Sequence, residues 1–200
     1  MRVRTEAKRQ AILETAARAF LELGYERASM SEIAARLGGS KATLYGYFPS
    51  KEDLFVHVVN HIVKIEPAFT ELAHLTEEEP RPVLERMGQR FLAAVTSPDA
   101  LAARRMVIAQ TAQSDIGRRF SEVRTKLNAD LAGYLAAATK AGRLNVKDPT
   151  VAAVHLLALY ESDLIWRGLF GSRQSFTRAQ IRQAAARAVG VFMAAYGRAK

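Results

Sequence analysis

Residues 29–51 read SMSEIAARLGGSKATLYGYFPSK, two short helical stretches separated by Gly38-Gly39. Ser29 followed three residues later by Glu32 has the spacing of a capping box, in which a hydroxyl accepts from a free N–H of the first turn. Ile33, Ala34 and Leu37 then fall on one apolar face. The glycine pair stops this helix, because glycine takes the left-handed conformation that closes a helix end at no steric cost. Ser40 is placed to cap a second helix over 41–48, and Pro49 helps to end it. Two short helices joined by a glycine-containing turn form a helix-turn-helix, whose second helix enters the major groove of DNA.

Outward from this stretch, helical periodicity dominates and no segment alternates as a strand. Helix 1, over about 5–23, places Ile12, Leu13, Ala16, Ala17 and Phe20 on one face and ends at Gly24. Ser50, with Asp53 three residues on, opens helix 4, whose apolar residues are Leu54, Phe55, Val58, Ile62 and Ile65, before Pro67. Its length predicts a passage from the first domain into the second half. Residues 76–80, TEEEP, mark a boundary, and further helices are expected over about 82–96, 97–113, 115–141, 150–170 and 177–196, with 142–149 as a connector. The chain is therefore expected to be all-α, with about nine helices. A three-helix DNA-binding domain over 1–50 precedes a helical domain over 51–200, and helix 4 links the two. Ile181, Ala185, Ala188, Phe192 and Ala195 recur at near-heptad spacing, and small residues let helices approach closely. This stripe predicts a homodimer through the last two helices.

Composition narrows the function classes. Hydrophobic content of 49% with 24% charged residues supports a real core, not a disordered chain. The absence of cysteine excludes disulfides and a thiol nucleophile, and fits a reducing cytoplasm. The segment MRVRTEAKRQAILETA carries charges where a signal peptide has its apolar run, and the longest apolar stretch, 151–160, is too short to span a bilayer. No membrane association is expected. The net charge of +9 favours polyanionic partners. Residues 1–51 hold nine Lys/Arg against five Asp/Glu, whereas the remaining 149 hold twenty against fifteen, so positive charge is denser at the start. His57 and His61 stand one turn apart, yet no H-E-x-x-H pattern or third ligand accompanies them, and no metal is expected. The full phosphate-loop pattern and the G-x-S-x-G elbow are missing. No catalytic constellation and no cofactor are expected; the chain does not read as an enzyme.

The run Gly24-Tyr25, Ser29-Met30, Ile33-Ala34, Gly38, Ser40-Lys41, Thr43-Leu44-Tyr45, Tyr47-Phe48, Ser50-Lys51-Glu52 and Leu54-Phe55 resembles the DNA-binding half of the TetR/AcrR family of transcriptional regulators, over roughly residues 8–57. The resemblance implies a ligand-responsive regulator, usually a repressor. It would bind double-stranded DNA at a pseudo-palindromic operator as a homodimer, and a small lipophilic effector would release it. By resemblance and by the geometry of a helix in the major groove, Lys41, Ala42, Thr43 and Tyr45 face the bases, while Leu44 and Phe48 turn inward. Lys41 suits a guanine edge or a phosphate, Ala42 a thymine methyl, and Thr43 either kind of contact. Tyr47 and Lys51 match positions that touch phosphate, and Ser29 and Ser31 could reach the opposite strand's backbone. Ser40 is a cap first, with phosphate contact as a second role. Gly46 departs from the family pattern by offering no side chain, and Arg2 and Arg4 form a small basic arm. The bland competitors are solvated lysines and half-buried tyrosines.

In the second half the resemblance implies a small-molecule pocket without fixing its residues. Size, aromaticity and polarity point to Phe91, Met106, Gln110, Gln113, Tyr134, Tyr160 and Trp166. The basic stretch Arg104, Arg105, Arg118, Arg119, Arg124 and Lys126 reads as a solvated helix face, or alternatively as an anion-accepting pocket mouth.

Overall fold

Hydroxyl caps start the first four helices, three of them at the serines where the sequence places them. In the computed structural model, which describes residues 5–65, 69, 71–75, 77–111, 115–171 and 175–198, Thr5 Oγ1 accepts from the Lys8 N–H at 3.2 Å and opens α1 (Glu6–Arg27). Gly24, at φ 76°, breaks α1, and one further turn follows. Ser29 Oγ accepts from the Glu32 N–H at 3.1 Å to begin α2 (Met30–Arg36). The Glu32 carboxylate turns away from the expected reciprocal bond and accepts from Arg36 at 2.8 Å; Arg36 also reaches Glu22 on α1 at 2.6 Å. Ser40 Oγ accepts from the Thr43 N–H at 3.1 Å, opening α3 (Lys41–Tyr47), and Ser50 Oγ from the Asp53 N–H at 3.0 Å, opening α4 (Lys51–Val63).

The apolar faces of these helices meet in one core. Ile12, Leu13, Ala16 and Phe20 from α1, Ile33 and Ala34 from α2, Leu44 and Phe48, and Leu54, Phe55, Val58 and Val59 from α4 are all buried in it. Three rings form its centre: Phe20 and Tyr25 meet Phe55 edge-on at 5.1 and 4.8 Å. Full burial of side chains of this size contributes roughly 1.5–3 kcal/mol each.

One expectation fails here. Helix 4 ends at Val63, because Lys64 lies at φ 45°, in the left-handed region where an α-helix does not propagate. Pro67 lies outside the described residues. The boundary drawn at residue 50 also differs from the observed division: one compact unit comprises residues 1–63 with 102–120, the other 64–101 with 121–200. Within the first unit, Ala103 and Ile116 are buried in the same core, with Met106, Val107 and Phe120 packed against it. Arg119 reaches Asp53 of α4 at 2.8 Å.

The second unit draws on a 3₁₀ turn (Glu71–His74) and on helices α5 (Pro80–Val95), α8 (Pro149–Glu161), α9 (Leu164–Leu169) and α10 (Arg178–Tyr196). The helices α6 (Pro98–Gln110) and α7 (Ile116–Lys140) contribute residues to both units. The fold is thus all-α; among the described residues the only β pairing is an isolated bridge between Leu144 and Gly197. The helix expected over 150–170 is two helices, α8 and α9. At the break, Ser162 Oγ bonds back to the Leu159 carbonyl at 2.8 Å, and Asp163 accepts from Arg167 and Arg187 at 3.2 and 2.6 Å.

Helix α10 packs on α5 and α8. Its residues Ala185, Ala188 and Phe192, expected on a dimer surface, are buried in this packing along with Ala184 and Val189. The chain thus covers the middle of the stripe by itself, while Ile181 is half-buried and Ala195 exposed. The large apolar residues left exposed nearby are Val151 and Val154 on α8 and Val191 on α10.

Tyr160 is the centre of this unit. Its ring is 1% exposed, and its hydroxyl donates to the Leu84 carbonyl at 2.8 Å. Gly88 lets α5 approach that ring so closely that an added Cβ would overlap Tyr160 Cε1. Gly88→Ala should therefore destabilise the protein by about 1–3 kcal/mol through overpacking, more than helix propensity returns. Gly133→Ala, on an exposed face of α7 with open space around it, should stabilise by about 0.5–1 kcal/mol. Opposite shifts of the urea midpoint would verify the pair.

Candidate nucleic-acid interface

Residues four apart share a helix face, and Leu44 and Phe48 are both buried, at 0% and 1% exposure. That leaves Lys41, Ala42 and Tyr45 on the outward side of α3, with Tyr45 49% exposed. Ser40 is also exposed; Thr43 is half-buried and its hydroxyl meets Ser40 Oγ at 3.0 Å. The leading edge of α3 thus presents an ammonium, a methyl, a hydroxyl and a phenol together. Gly46 has nothing within 4 Å of where a Cβ would stand, so its missing side chain leaves open space on this helix.

Around this edge the remaining residues are held by contacts that the sequence did not reveal. The Tyr47 hydroxyl accepts from the Thr5 N–H at 3.0 Å, which ties the end of α3 to the start of α1. That oxygen keeps its own proton to donate. Lys51 Nζ donates to the Glu26 carbonyl at 3.2 Å and lies 4.2 Å from the centre of the Tyr25 ring. Its ammonium is therefore positioned from within, and an ammonium has three donors to distribute. Tyr25 donates to Glu52 at 3.2 Å, and burial raises its phenol well above the ordinary value, with Glu52 adding to the shift. Ser29 and Ser31 are exposed at the start of α2. Arg2 and Arg4 lie outside the described residues.

His57 and His61 are engaged in packing. His57 Nδ1 accepts from Arg9 at 3.2 Å while its ring lies 5.4 Å from Phe48, and His61 meets Gln10 at 3.5 Å. The Arg9 guanidinium itself sits 5.4 Å above the Phe48 ring.

The candidates named for a ligand are carried by several elements. Phe91, Tyr134 and Tyr160 are buried in the second unit, with the Phe91 ring 6.1 Å from Tyr160 and 6.0 Å from Phe69. Met106 packs instead against the core of the first unit, and Trp166 lies on the surface, 53% exposed and stacked on Phe170 at 5.7 Å. Gln110 is half-buried at the end of α6, and Gln113 lies outside the described residues. One cavity among the described residues, about 420 Å³, is lined by Leu72, Leu75, Val83, Arg86, Met87, Gln89 and Arg90. Selection by aromaticity missed it, because aliphatic residues and arginines on a helix look like any amphipathic face. The basic stretch is divided among separate partners: Arg118 pairs with Asp115, Arg119 with Asp53 and Asp115, and Arg124 grips both oxygens of Glu161 at 2.8 Å.

The family model for the AefR-like transcriptional repressor C-terminal domain matches residues 82–198, more than half of the chain, and that for bacterial regulatory proteins of the tetR family matches 12–58. The chain belongs to the TetR family. A crystal structure from Mesorhizobium loti MAFF303099, described as a TetR-family transcriptional regulator, superposes with a TM-score of 0.86 at 28% identity, covering 98% of this chain and all of that one. The flavonoid-responsive regulator FrrA superposes with a TM-score of 0.71 at 27% identity, with the same coverage. Curated relatives match over shorter stretches: RutR of Escherichia coli K12 is 41% identical over 59 residues, 30% of this chain and 28% of its own length. The chain spans only about a quarter of the curated relatives it matches first. This TetR-family chain is a transcriptional regulator with a helix-turn-helix, not an enzyme. Among its described residues no helix is long and apolar enough to cross a membrane.

The half-buried His57 makes stability depend on pH. Burial holds its imidazole below the ordinary value near 6.5, the neighbouring Arg9 and Arg119 push the same way, and Asp53 opposes them. A group depressed on folding contributes stability that is complete above its unfolded pKa and is lost as pH falls through the folded one. The urea midpoint should therefore fall between about pH 7 and pH 5, and His57→Gln, which keeps an acceptor for Arg9, should flatten that slope. An unchanged slope in the variant would show that His57 carries none of it.

Proposed function

We propose that the chain is a ligand-responsive repressor, which binds a pseudo-palindromic operator as a homodimer and leaves it when a small lipophilic molecule occupies the second unit. The observation that supports it most is the orientation of α3, with its anchors inside and Lys41, Ala42 and Tyr45 outside. In this reading Lys41, Ala42, Thr43 and Tyr45 address base edges, while Tyr47, Lys51, Ser29, Ser31 and Ser40 hold phosphates and set register. Repression accords with the repressor model matched by the second half, and ligand response with FrrA, whose name states that it responds to flavonoids.

Dimerisation is assigned to the outward faces of α8 and α10. Val151, Val154 and Ala158 on α8 are exposed along one side, as are Val191 and Ala194 on α10. Two packed helices with a small, uncharged outer stripe suit an isologous pairing with a second copy. A two-fold pair presents two recognition helices, and simultaneous entry into the groove requires them about 34–36 Å apart. A ligand shifts that spacing only by its differential affinity for the two arrangements, about 1.4 kcal/mol per tenfold change. With α4 ending at Val63, the helices that continue from one unit into the other are α6 and α7, and these are the route we assign to the signal.

Selection of bound duplexes from random DNA tests the proposal. The expected outcome is an inverted repeat with half-sites about one helical turn apart. Thr43→Ala should alter the preferred bases, with about 1–3 kcal/mol at a contacted position. Lys51→Ala should weaken every duplex and lower the salt slope by about one. Recovery of no common sequence would overturn the operator reading. In sedimentation, Val154→Asp combined with Val191→Asp should convert the dimer to a monomer.

A further inference from the structure

The cavity beside α5 has a lining that defines its occupant's chemistry. Val83 and Met87, one turn apart on α5, are buried, and Leu72 and Leu75 from the 3₁₀ turn and its end complete the apolar part. Arg86 and Arg90, again one turn apart, are exposed, with Gln89 between them. Charge therefore stands at the mouth and hydrocarbon at the floor. Among the described residues, two guanidinium groups and an amide are the polar groups that line this space. A volume of about 420 Å³ suits a small molecule.

The surroundings add a second observation. Arg86 donates to Glu78 at 2.6 Å, an exposed ion pair that spends only part of a five-donor fork. Beside the same pair lies Tyr134, 2% exposed, whose hydroxyl has no hydrogen-bond partner among the described residues. Burial, with Glu78 adding to it, pushes that phenol up to about 12, so it is a neutral donor at physiological pH. A buried donor without an acceptor is costly, on the order of 1–3 kcal/mol.

We propose that this cavity binds an amphipathic anion, a carboxylate on an aliphatic body, with the carboxylate at Arg86 and Arg90 and the hydrocarbon against Leu72, Leu75, Val83 and Met87. The inference rests on the effector reading above and names its ligand class. Arginine suits the role because its planar fork matches a carboxylate with two parallel bonds. Glu78 is then the internal competitor, since it accepts from Arg86 in the same way as the incoming group.

Calorimetry on the intact protein with three probes of equal chain length tests this: decanoate, decanol and decyltrimethylammonium. Decanoate is expected to bind at least about tenfold tighter than either of the others. Arg86→Gln with Arg90→Gln should abolish that preference. Glu78→Gln, which keeps both arginines, should tighten decanoate and raise none of the other affinities. Equal binding of the three probes, no saturable binding of decanoate, or an unchanged preference in the arginine variant would overturn the assignment. Release of the selected operator duplex is measured separately. If decanoate binds in the expected order and the duplex stays bound, the effector reading fails while the cavity assignment stands.

Discussion

Two side chains, Leu44 and Phe48, decide which way α3 faces. A helix of seven residues is too short to hold itself together in water, so its orientation comes from packing. Both anchors enter the core that α1, α2 and α4 build around Phe20, Tyr25 and Phe55. Phe48 also takes the Arg9 guanidinium over its face and the His57 ring beside it. One aromatic residue thereby ties α3 to both α1 and α4. Once those anchors are buried, the 3.6-residue period leaves Lys41, Ala42 and Tyr45 outside, and the serine cap fixes where that edge begins.

The same economy of anchoring governs the second unit. Tyr160 is buried between α5 and its neighbours, bonded to a backbone carbonyl of α5 and admitted by the missing side chain of Gly88. The helix that carries this contact also carries Val83, Arg86, Met87 and Arg90 of the cavity. An α5 fixed along its inner face can thus present a defined second face to a ligand without losing its place in the core.

What was legible in the sequence was local. Caps at Ser29, Ser40 and Ser50 act within three residues, so spacing alone reveals them, and the glycine punctuation of α2 is of the same kind. The burial of Leu44 and Phe48 followed from period and motif. The failures were long-range. Nothing within 102–120 signals that Ala103 and Ile116 complete a core begun some ninety residues earlier. The stripe on α10 was visible, but an apolar stripe does not say whether a second copy or the chain itself covers it; Ala185, Ala188 and Phe192 are covered by α5 and α8. Helix 4 stops at a lysine in the left-handed region, a conformation that no residue preference announces. Lys51 and Tyr47 stand out by motif, yet their tethers, a backbone carbonyl at Glu26 and a backbone N–H at Thr5, carry no side-chain signature.

The account depends on the outward edge of α3 reading the wide groove of DNA twice per dimer. Methylation interference on the selected operator measures this directly, because guanine N7 lies in the major groove and adenine N3 in the minor groove. The account predicts that N7 methylation blocks binding at two clusters about one helical turn apart, and that replacing Lys41 relieves or shifts both clusters together. Interference confined to minor-groove positions, or to a single cluster, would contradict it.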